Sequence, residues 1–353
     1  MSGLKALRVE NWRCHPALEM ALDEAEWVVL AGDNGAGKTS LMEAIFAAAR
    51  GRSFRTAALT DVISSGETVS RSILRTGGAL SHLLGLEVRR GGYEAHLDGE
   101  RGAGLAAIAR AVPVEYISGD AQELITGAPS GRRRFLDWAL FHVEPSFPAI
   151  WRGWSRAHRQ RNTLLRRGAP ANALAPWTAK VVEYGEQLSA LRENAVGRVN
   201  GVLAGLDVPG RLGAPTLSFK RGWKEERLEQ ALARVAGREI AAGRAVVGPQ
   251  QDDWTVKVGG LESRQLSRGQ AKLTSLVLHR AQNALLTAAD RRAILLVDDL
   301  AADLDREAVS VALQVLAGAG AQTWICVLGD DSAVDVPGEV RRFHVEPGGA
   351  APV

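Results

Sequence analysis

Hydrophobic residues recur in two different patterns along the first fifty positions. Residues 4–9 and 17–22 alternate apolar and polar side chains, which predicts two strands joined by a turn at His15-Pro16. Residues 27–31 form an unbroken apolar run typical of a buried strand. Residues 40–49 follow it and predict a helix. The chain therefore begins with three strands and a helix.

The remaining pattern predicts strands first, then helices, then an alternation of the two. Further strands are predicted at residues 71–75, 82–88, 93–97, 114–118, 216–219, 255–258, 293–297 and 323–328. Helices are predicted at residues 132–141, 147–167, 176–206, 224–242, 269–289 and 306–317. The tail at residues 347–353, rich in glycine, alanine and proline, is expected to be disordered.

This order of elements predicts an α/β fold with two lobes. Residues 1–118 and 248–353 are assigned to one lobe with a mixed β-sheet, and residues 119–247 to a second, mainly helical lobe. Apolar heptads are not sustained in the helical part and glycines interrupt them, so no long coiled coil is expected.

Composition excludes several classes of protein. A chain of 353 residues with 46% hydrophobic and 24% charged residues is typical of a globular protein with about two domains. No apolar run approaches the length of a membrane span, and the N-terminal residues lack a secretory signal pattern. Cys14 and Cys326 are far apart, which favours a reducing compartment without a cysteine metal site. We expect a cytoplasmic protein without a membrane partner.

Positive charge is concentrated in one part of the helical lobe. Residues 131–168 contain nine arginines against two acidic residues, although the net charge of the whole chain is only +3. Arginine is suited to bidentate contact with phosphate, so this segment is a candidate DNA-binding surface. The alternative is an exposed helical hairpin that is basic without a ligand. The candidate DNA-binding residues are Arg132, Arg133, Arg134, Arg156, Arg159 and Arg161.

Residues 32–39 match the phosphate-binding pattern G-x-x-x-x-G-K-[ST] in full, between a predicted strand and a predicted helix. In such a loop backbone amides surround phosphate oxygens, Lys38 reaches the β- and γ-phosphates, and the Thr39 hydroxyl ligates Mg²⁺. A nucleotide and Mg²⁺ are therefore the expected ligands. The predicted nucleotide-binding residues here are Gly32, Asp33, Asn34, Gly35, Ala36, Gly37, Lys38, Thr39 and Ser40.

Two carboxylates follow the apolar strand at residues 293–297. At the carboxyl end of a strand beside a phosphate loop, Asp298 is expected to hold Mg²⁺ together with Thr39. Asp299 is expected to act with Lys38 in catalysis, by orienting or deprotonating the attacking water. The alternative for Asp299 is a structural hydrogen-bonding role.

A serine motif precedes the predicted helix at residues 269–289. Ser267, Gly269 and Gln270 offer a hydroxyl, backbone amides and an amide side chain to an anion at a helix start. The alternative is a plain N-cap by Ser267. The order of phosphate loop, long insertion, serine motif and double acid is that of ABC-type ATPases, in which the serine motif of one subunit contacts the γ-phosphate held by another. Residues 301–305 resemble the loop that crosses the dimer interface in those enzymes.

Several segments together resemble the RecF family, bacterial DNA-repair ATPases related to SMC head domains. The resemblance rests on residues 7–13, the phosphate loop, and residues 51–55, 131–137, 161–165, 248–249, 267–270 and 295–299. It covers nearly the whole chain. One departure is that Gln250-Gln251 stand where the family usually has His-Arg.

The resemblance implies an ABC-type ATPase head with slow, DNA-dependent ATP hydrolysis and ATP between two subunits of a homodimer. It also implies binding to double-stranded DNA and to junctions of single- and double-stranded DNA. The expected partners are RecR with RecO, in a pathway that loads RecA during homologous recombination, replication restart and the SOS response to DNA damage.

Three other functions are compatible with a phosphate loop. A transport ATPase subunit would need far fewer than the roughly 230 residues that separate Lys38 from Ser267. A small-molecule kinase would leave the serine motif and the double acid unexplained. The third is a structural head that tethers DNA without hydrolysing ATP. Only Asp299, which is expected to act on the attacking water, argues against it.

Overall fold

The structure, a computed structural model, describes residues 3–78, 81–209, 212–329 and 334–353. The described strands are β1 (Leu4–Trp12), β2 (His15–Ala21), β3 (Trp27–Gly32), β4 (Val69–Thr76), β5 (Leu83–Arg89), β6 (Gly92–Leu97), β7 (Glu100–Arg101), β8 (Val114–Ile117), β9 (Pro215–Lys220), β10 (Asp253–Val258), β11 (Leu261–Glu262), β12 (Ile294–Val297), β13 (Gln322–Leu328), β14 (Val340–Glu346) and β15 (Gly349–Pro352). The α-helices are α1 (Lys38–Arg50), α2 (Leu105–Ala111), α3 (Glu123–Thr126), α4 (Pro129–Val143), α5 (Phe147–Arg166), α6 (Ala171–Gly205), α7 (Leu228–Ala242), α8 (Arg268–Thr287) and α9 (Arg306–Ala317).

The chain forms two compact units. The first unit comprises Met1–Ala121 and Leu286–Val353, and the second comprises Gln122–Leu285. The predicted lobes instead changed at residues 118 and 248. Residues 248–285 make their contacts within the second unit: β10 pairs with β9, and the Trp254 indole donates to the Arg132 carbonyl. Their predicted place in the ATPase lobe stays a proposal about function.

The first unit contains two six-stranded sheets. One is antiparallel, in the order β2-β1-β4-β5-β6-β7. The other has the order β15-β14-β3-β13-β12-β8, and its strands from β14 to β8 run parallel. Parallel strands buried on both faces read as unbroken apolar runs, which is why β3 and β12 were predicted from sequence.

Helix α1 lies in the core shared by both sheets. All of its residues from Ser40 to Ala49 are buried, and its alanines and Leu41, Ile45 and Phe46 pack in one cluster with strands of both sheets. Since α1 starts at Lys38, this packing fixes the end of the phosphate loop to the most buried part of the unit.

Two predictions near the chain ends are wrong. The first turn lies at Arg13-Cys14, not at His15-Pro16, because Trp12 and His15 face each other as a β-pair. The tail is not disordered: Gly349–Pro352 forms β15, which pairs with β14 after a turn in which Gly348 has φ 91°. The Gly/Ala/Pro composition does not favour a strand. The strand β15 forms because it pairs with its neighbour β14, and this pairing cannot be deduced from the composition of the tail.

The second unit is mainly helical, with a three-stranded antiparallel sheet in the order β11-β10-β9. Its helices α5 and α6 pack against each other, and α6 starts at Ala171 instead of at the predicted Pro176. In the described part of the chain, no helix combines the length and the apolar character that crossing a membrane requires.

Candidate nucleotide site

The loop between β3 and α1 depends on three glycines. Gly32, Gly35 and Gly37 have φ values of 146°, 83° and 105°, a region that other residues adopt only with strain. A β-carbon at Gly32 would collide with the Val345 carbonyl of β14, and one at Gly37 would collide with the His15 imidazole. The glycines therefore permit both the turn of the loop and the close approach of its neighbours.

Lys38 reaches back over this loop from the first position of α1. Its Nζ donates to the Gly32 carbonyl at 2.6 Å and to the Asp33 carbonyl at 2.8 Å. The ammonium group thus lies at the loop, where it can bind phosphate oxygens. The N-terminal end of α1 adds a positive dipole at the same place.

His15 forms the floor of the loop. The side chain is fully buried, and its Nε2 lies 3.2 Å from the Gly37 carbonyl oxygen. Burial lowers the pKa of His15, and the Gly37 carbonyl offsets part of that effect. The neutral imidazole with its proton on Nε2 can donate to Gly37 and support the last glycine of the loop.

The first predicted acid lies beside the predicted metal-binding threonine. The Thr39 hydroxyl donates to Asp298 Oδ1 at 3.2 Å, although the two residues are 259 positions apart in the sequence. The strand order brings them together, because β3, β13 and β12 are neighbouring parallel strands whose carboxyl ends meet at one edge.

The donor set of this pair fits Mg²⁺. Among the described residues there is no group of three or more His, Cys, Asp or Glu that could hold a metal ion. A Mg²⁺ site beside a phosphate loop needs only one or two protein oxygen ligands, because phosphate oxygens and water complete the octahedron. The hydroxyl of Thr39 and the carboxylate of Asp298 would supply such ligands.

Two further side chains surround Asp298 and were missed in the sequence. The Tyr116 hydroxyl of β8 donates to Asp298 Oδ2 at 3.2 Å. Burial raises the pKa of Tyr116, and the neighbouring carboxylate raises it further. Burial and then Asp298 likewise raise the pKa of the Cys326 thiol of β13. Both groups keep their protons near neutral pH, and the Tyr116 hydroxyl donates its proton to the carboxylate.

Asp299 differs from Asp298 in exposure and backbone geometry. Its φ of 49° turns the chain after β12, and the residue is exposed whereas Asp298 is half-buried. A β-carbon at Gly119 would lie 3.1 Å from Asp299 Cβ, so the loop after β8 borders this acid closely. An exposed carboxylate next to the Thr39–Asp298 pair can contact a water molecule, and its catalytic role remains a prediction.

A buried carboxylate on α1 connects the site to neighbouring segments. Glu43 is fully buried and accepts two hydrogen bonds from the Arg13 guanidinium, both at 2.8 Å. The Ser53 hydroxyl also donates to it, and Arg55 Nη1 lies 3.8 Å away. The hydrogen bond to Glu43 raises the pKa of Arg13. The available sequence signal was one carboxylate within the otherwise apolar run of residues 41–49.

The serine motif lies in the second unit and forms a capping box. Ser267 Oγ accepts from the Gln270 backbone N–H at 3.2 Å, and Gln270 Oε1 accepts from the Ser267 N–H at 3.0 Å. Ser267 and Gln270 are exposed and Gly269 is half-exposed. The motif thus caps α8, as the alternative interpretation holds, and it also presents its polar groups at the surface.

The arginine-rich segment divides into exposed and internal side chains. Arg132 pairs with Asp253 at 2.7 Å, and Arg133 donates to the Asp252 carbonyl at 2.8 Å. Arg161 is only 5% exposed, and it pairs with the buried Glu239 at 2.6 Å. Arg134, Arg156 and Arg159 are exposed. Of the candidate DNA-binding residues, these three project where a ligand can reach them.

The glutamines that depart from the family pattern precede a buried carboxylate. Gln250 donates from Nε2 to the Val247 carbonyl at 2.7 Å. Asp252 is fully buried and pairs with Arg192 at 3.1 Å, and the Ser189 hydroxyl donates to it at the same distance. Asp252 therefore has a structural role within the second unit.

The chain matches known proteins over most of its length. Residues 3–335 match the family model of the RecF/RecN/SMC N terminal domain. The chain is 36% identical over 331 residues to the DNA replication and repair protein RecF of Shewanella amazonensis, covering 90% of both chains. It is 35% identical over 332 residues to the protein of the same name from Stenotrophomonas maltophilia, covering 90% of this chain and 91% of that one.

The fold matches a solved structure of the recombination mediator protein RecF with ATP in the RecFOR pathway, with a TM-score of 0.85 and 19% identity, covering 100% of this chain and 98% of that one. This likeness confirms the predicted α/β ATPase-head fold, and a long coiled coil is not evident in the described residues. The match to the family model and the identity to curated relatives show that the chain belongs to the RecF family of DNA replication and repair proteins within the RecF/RecN/SMC group.

Proposed function

We propose that this chain is an ATP-dependent recombination mediator. It binds ATP and Mg²⁺ at the phosphate loop, dimerises with ATP between subunits, and binds duplex DNA and gap junctions in the cytoplasm. It acts with RecR and RecO to help load RecA, and it hydrolyses ATP slowly in a DNA-dependent way. The observation that carries the ATP part is the 3.2 Å contact between Thr39 and Asp298. The DNA and partner parts rest on the family.

Each protein group has a defined task in this proposal. The loop amides and Lys38 bind the phosphates, and Thr39 with Asp298 holds the metal ion, which neutralises phosphate charge. Asp299 orients or deprotonates the attacking water. Ser267 and Gly269 of a second copy contact the γ-phosphate. ATP then favours the dimer, because it is bound best by the state that contacts it from both sides.

Sedimentation velocity with and without ATP tests the dimerisation. We expect Lys38→Met to remain monomeric because it loses ATP binding. We expect Ser267→Arg to bind ATP as a monomer, and Thr255→Arg, an exposed position in β10 of the same unit, to dimerise normally. A Ser267→Arg variant that dimerises with ATP contradicts the role of the serine motif between subunits.

Hydrolysis is tested separately, with phosphate release measured with and without gapped duplex DNA. We expect Asp299→Asn to bind ATP, stay dimeric and lose at least tenfold in rate. If its rate equals that of the wild type, Asp299 neither orients nor deprotonates the attacking water. If the wild type dimerises on ATP but releases no phosphate, the chain is a DNA-tethering head without turnover.

A further inference from the structure

The Asp298 carboxylate is held from two sides by different hydroxyl groups. Thr39 donates to Oδ1 and Tyr116 donates to Oδ2, each at 3.2 Å. Two donors on two oxygens fix the rotation of the carboxyl plane, which a single hydrogen bond would leave free to turn. The oxygen beside Thr39 is the one that can share a metal ion with that hydroxyl.

The Tyr116 ring is itself held in an aromatic cluster. It stacks on Phe54 with ring centroids 3.6 Å apart and an angle of 9° between the planes. Phe46 of α1 packs edge-on against both rings, at centroid distances of 5.4 and 6.4 Å. These contacts restrict the movement of the Tyr116 ring, with Phe54 stacked on its face and Phe46 packed edge-on against it. They therefore fix the position of the Tyr116 hydroxyl.

Phe54 belongs to a segment that is also attached to the phosphate-loop helix. Ser53 donates to the buried Glu43, and the Arg55 backbone N–H donates to Ser53 Oγ at 2.8 Å. The Arg55 guanidinium lies 3.4 Å from the hydroxyl of Ser40, the residue after Thr39. Residues 53–55 thus connect to both members of the Thr39–Asp298 pair, to one through α1 and to the other through Tyr116.

We propose that Tyr116, held in place by Phe54, is a positioning residue that orients Asp298 for Mg²⁺. Mg²⁺ demands near-ideal octahedral geometry, so a carboxylate that can rotate binds it less well. Groups that hydrogen-bond a metal ligand without touching the metal commonly change metal affinity by about 10–100-fold when they are removed. The inference rests on the proposed binding of ATP with Mg²⁺ at this site.

Three variants separate the hydroxyl from the ring. Tyr116→Phe removes the hydrogen bond and keeps the stack, and Phe54→Leu keeps the hydroxyl and removes the stack. Tyr93→Phe is the matched control, because Tyr93 is an exposed tyrosine on β6 of the same unit. Binding of a fluorescent ATP analogue is titrated at a series of Mg²⁺ concentrations and in excess EDTA, and thermal unfolding is measured in parallel.

We expect Tyr116→Phe to need about tenfold more Mg²⁺ for half-maximal enhancement of nucleotide binding, with affinity in EDTA and melting temperature unchanged. Phe54→Leu should shift the Mg²⁺ requirement in the same direction, and Tyr93→Phe should match the wild type. A wild-type Mg²⁺ requirement in Tyr116→Phe overturns the inference. Equal losses with and without Mg²⁺ also overturn it, since they indicate a merely structural tyrosine. A wild-type protein that binds no nucleotide would instead refute the proposed function.

Discussion

At the scale of single residues, two arginines of one helix differ in burial: one forms a buried ion pair and the other is exposed. Arg161 of α5 is buried against Glu239 and also donates to Thr178 at 2.9 Å, while Arg159 on the same helix is exposed. A buried charge without its partner is costly, whereas an exposed charge contributes little to stability. The number of arginines in the segment therefore overstates the positive charge that an external ligand can reach.

The Arg161 pair gives a first prediction. Arg161→Met should lower the free energy of unfolding by about 3–5 kcal/mol, because it leaves the buried Glu239 carboxylate unpaired. Arg159→Met should stay within about 0.5 kcal/mol of the wild type. Urea unfolding of both variants is the measurement. Equal unfolding midpoints would show that the buried pair contributes nothing to stability.

The buried His15 gives a pH prediction. Burial lowers its folded-state pKa below the unfolded value of 6.5, so the unfolded chain binds the proton more readily. The stability that His15 contributes is present above pH 6.5 and is lost as the pH falls through that value toward the folded pKa. Between about pH 7.5 and about pH 5, the wild type should therefore lose more unfolding free energy than His15→Gln, by about 1.4 kcal/mol per pKa unit. Parallel stability profiles of the two proteins would contradict this.

At the scale of elements, the features that could be predicted from the sequence are those that a short local motif determines. The phosphate loop and the acids after β12 were predictable, because each is a short motif next to an apolar run. Tyr116 and Glu43 were not, since a tyrosine in a strand or a glutamate in a helix has no local signal for a partner elsewhere in the fold. Strand β14 was missed, and β15 was predicted as disordered, because both depend on pairing that starts from β3.

The start of helix α8 gives a prediction at this scale. Ser267→Ala and Gln270→Ala should each lower unfolding stability by about 1 kcal/mol, since each removes one side of the capping box. The double variant should lose less than the sum, because the two hydrogen bonds support each other. Arg264→Ala, a highly exposed side chain in the same region, is the control. Thermal unfolding measures all four variants, and full additivity would contradict a reciprocal box.

At the scale of the whole molecule, the weak net charge of +3 contrasts with the local basic surface. If Arg134, Arg156 and Arg159 contact DNA phosphates, each should contribute to the salt dependence of binding. Substituting any one by glutamine should reduce the slope of log affinity against log salt concentration by about 0.9. Arg238→Gln, an exposed position on α7, is the control. Fluorescence anisotropy at several salt concentrations measures the slope, and an unchanged slope in all three variants assigns DNA contact to another surface.

The strand order of the parallel sheet has a consequence for biosynthesis. On the ribosome, β3 and the phosphate loop emerge among the first residues, but β13 and β14, which flank β3, emerge near the end. The whole second unit is synthesised in between. Until then β3 has unpaired edges, the state in which a nascent chain is most prone to aggregate and to need a chaperone. The proposed ATP site, whose phosphate loop is encoded almost first, can be completed only when translation is nearly over.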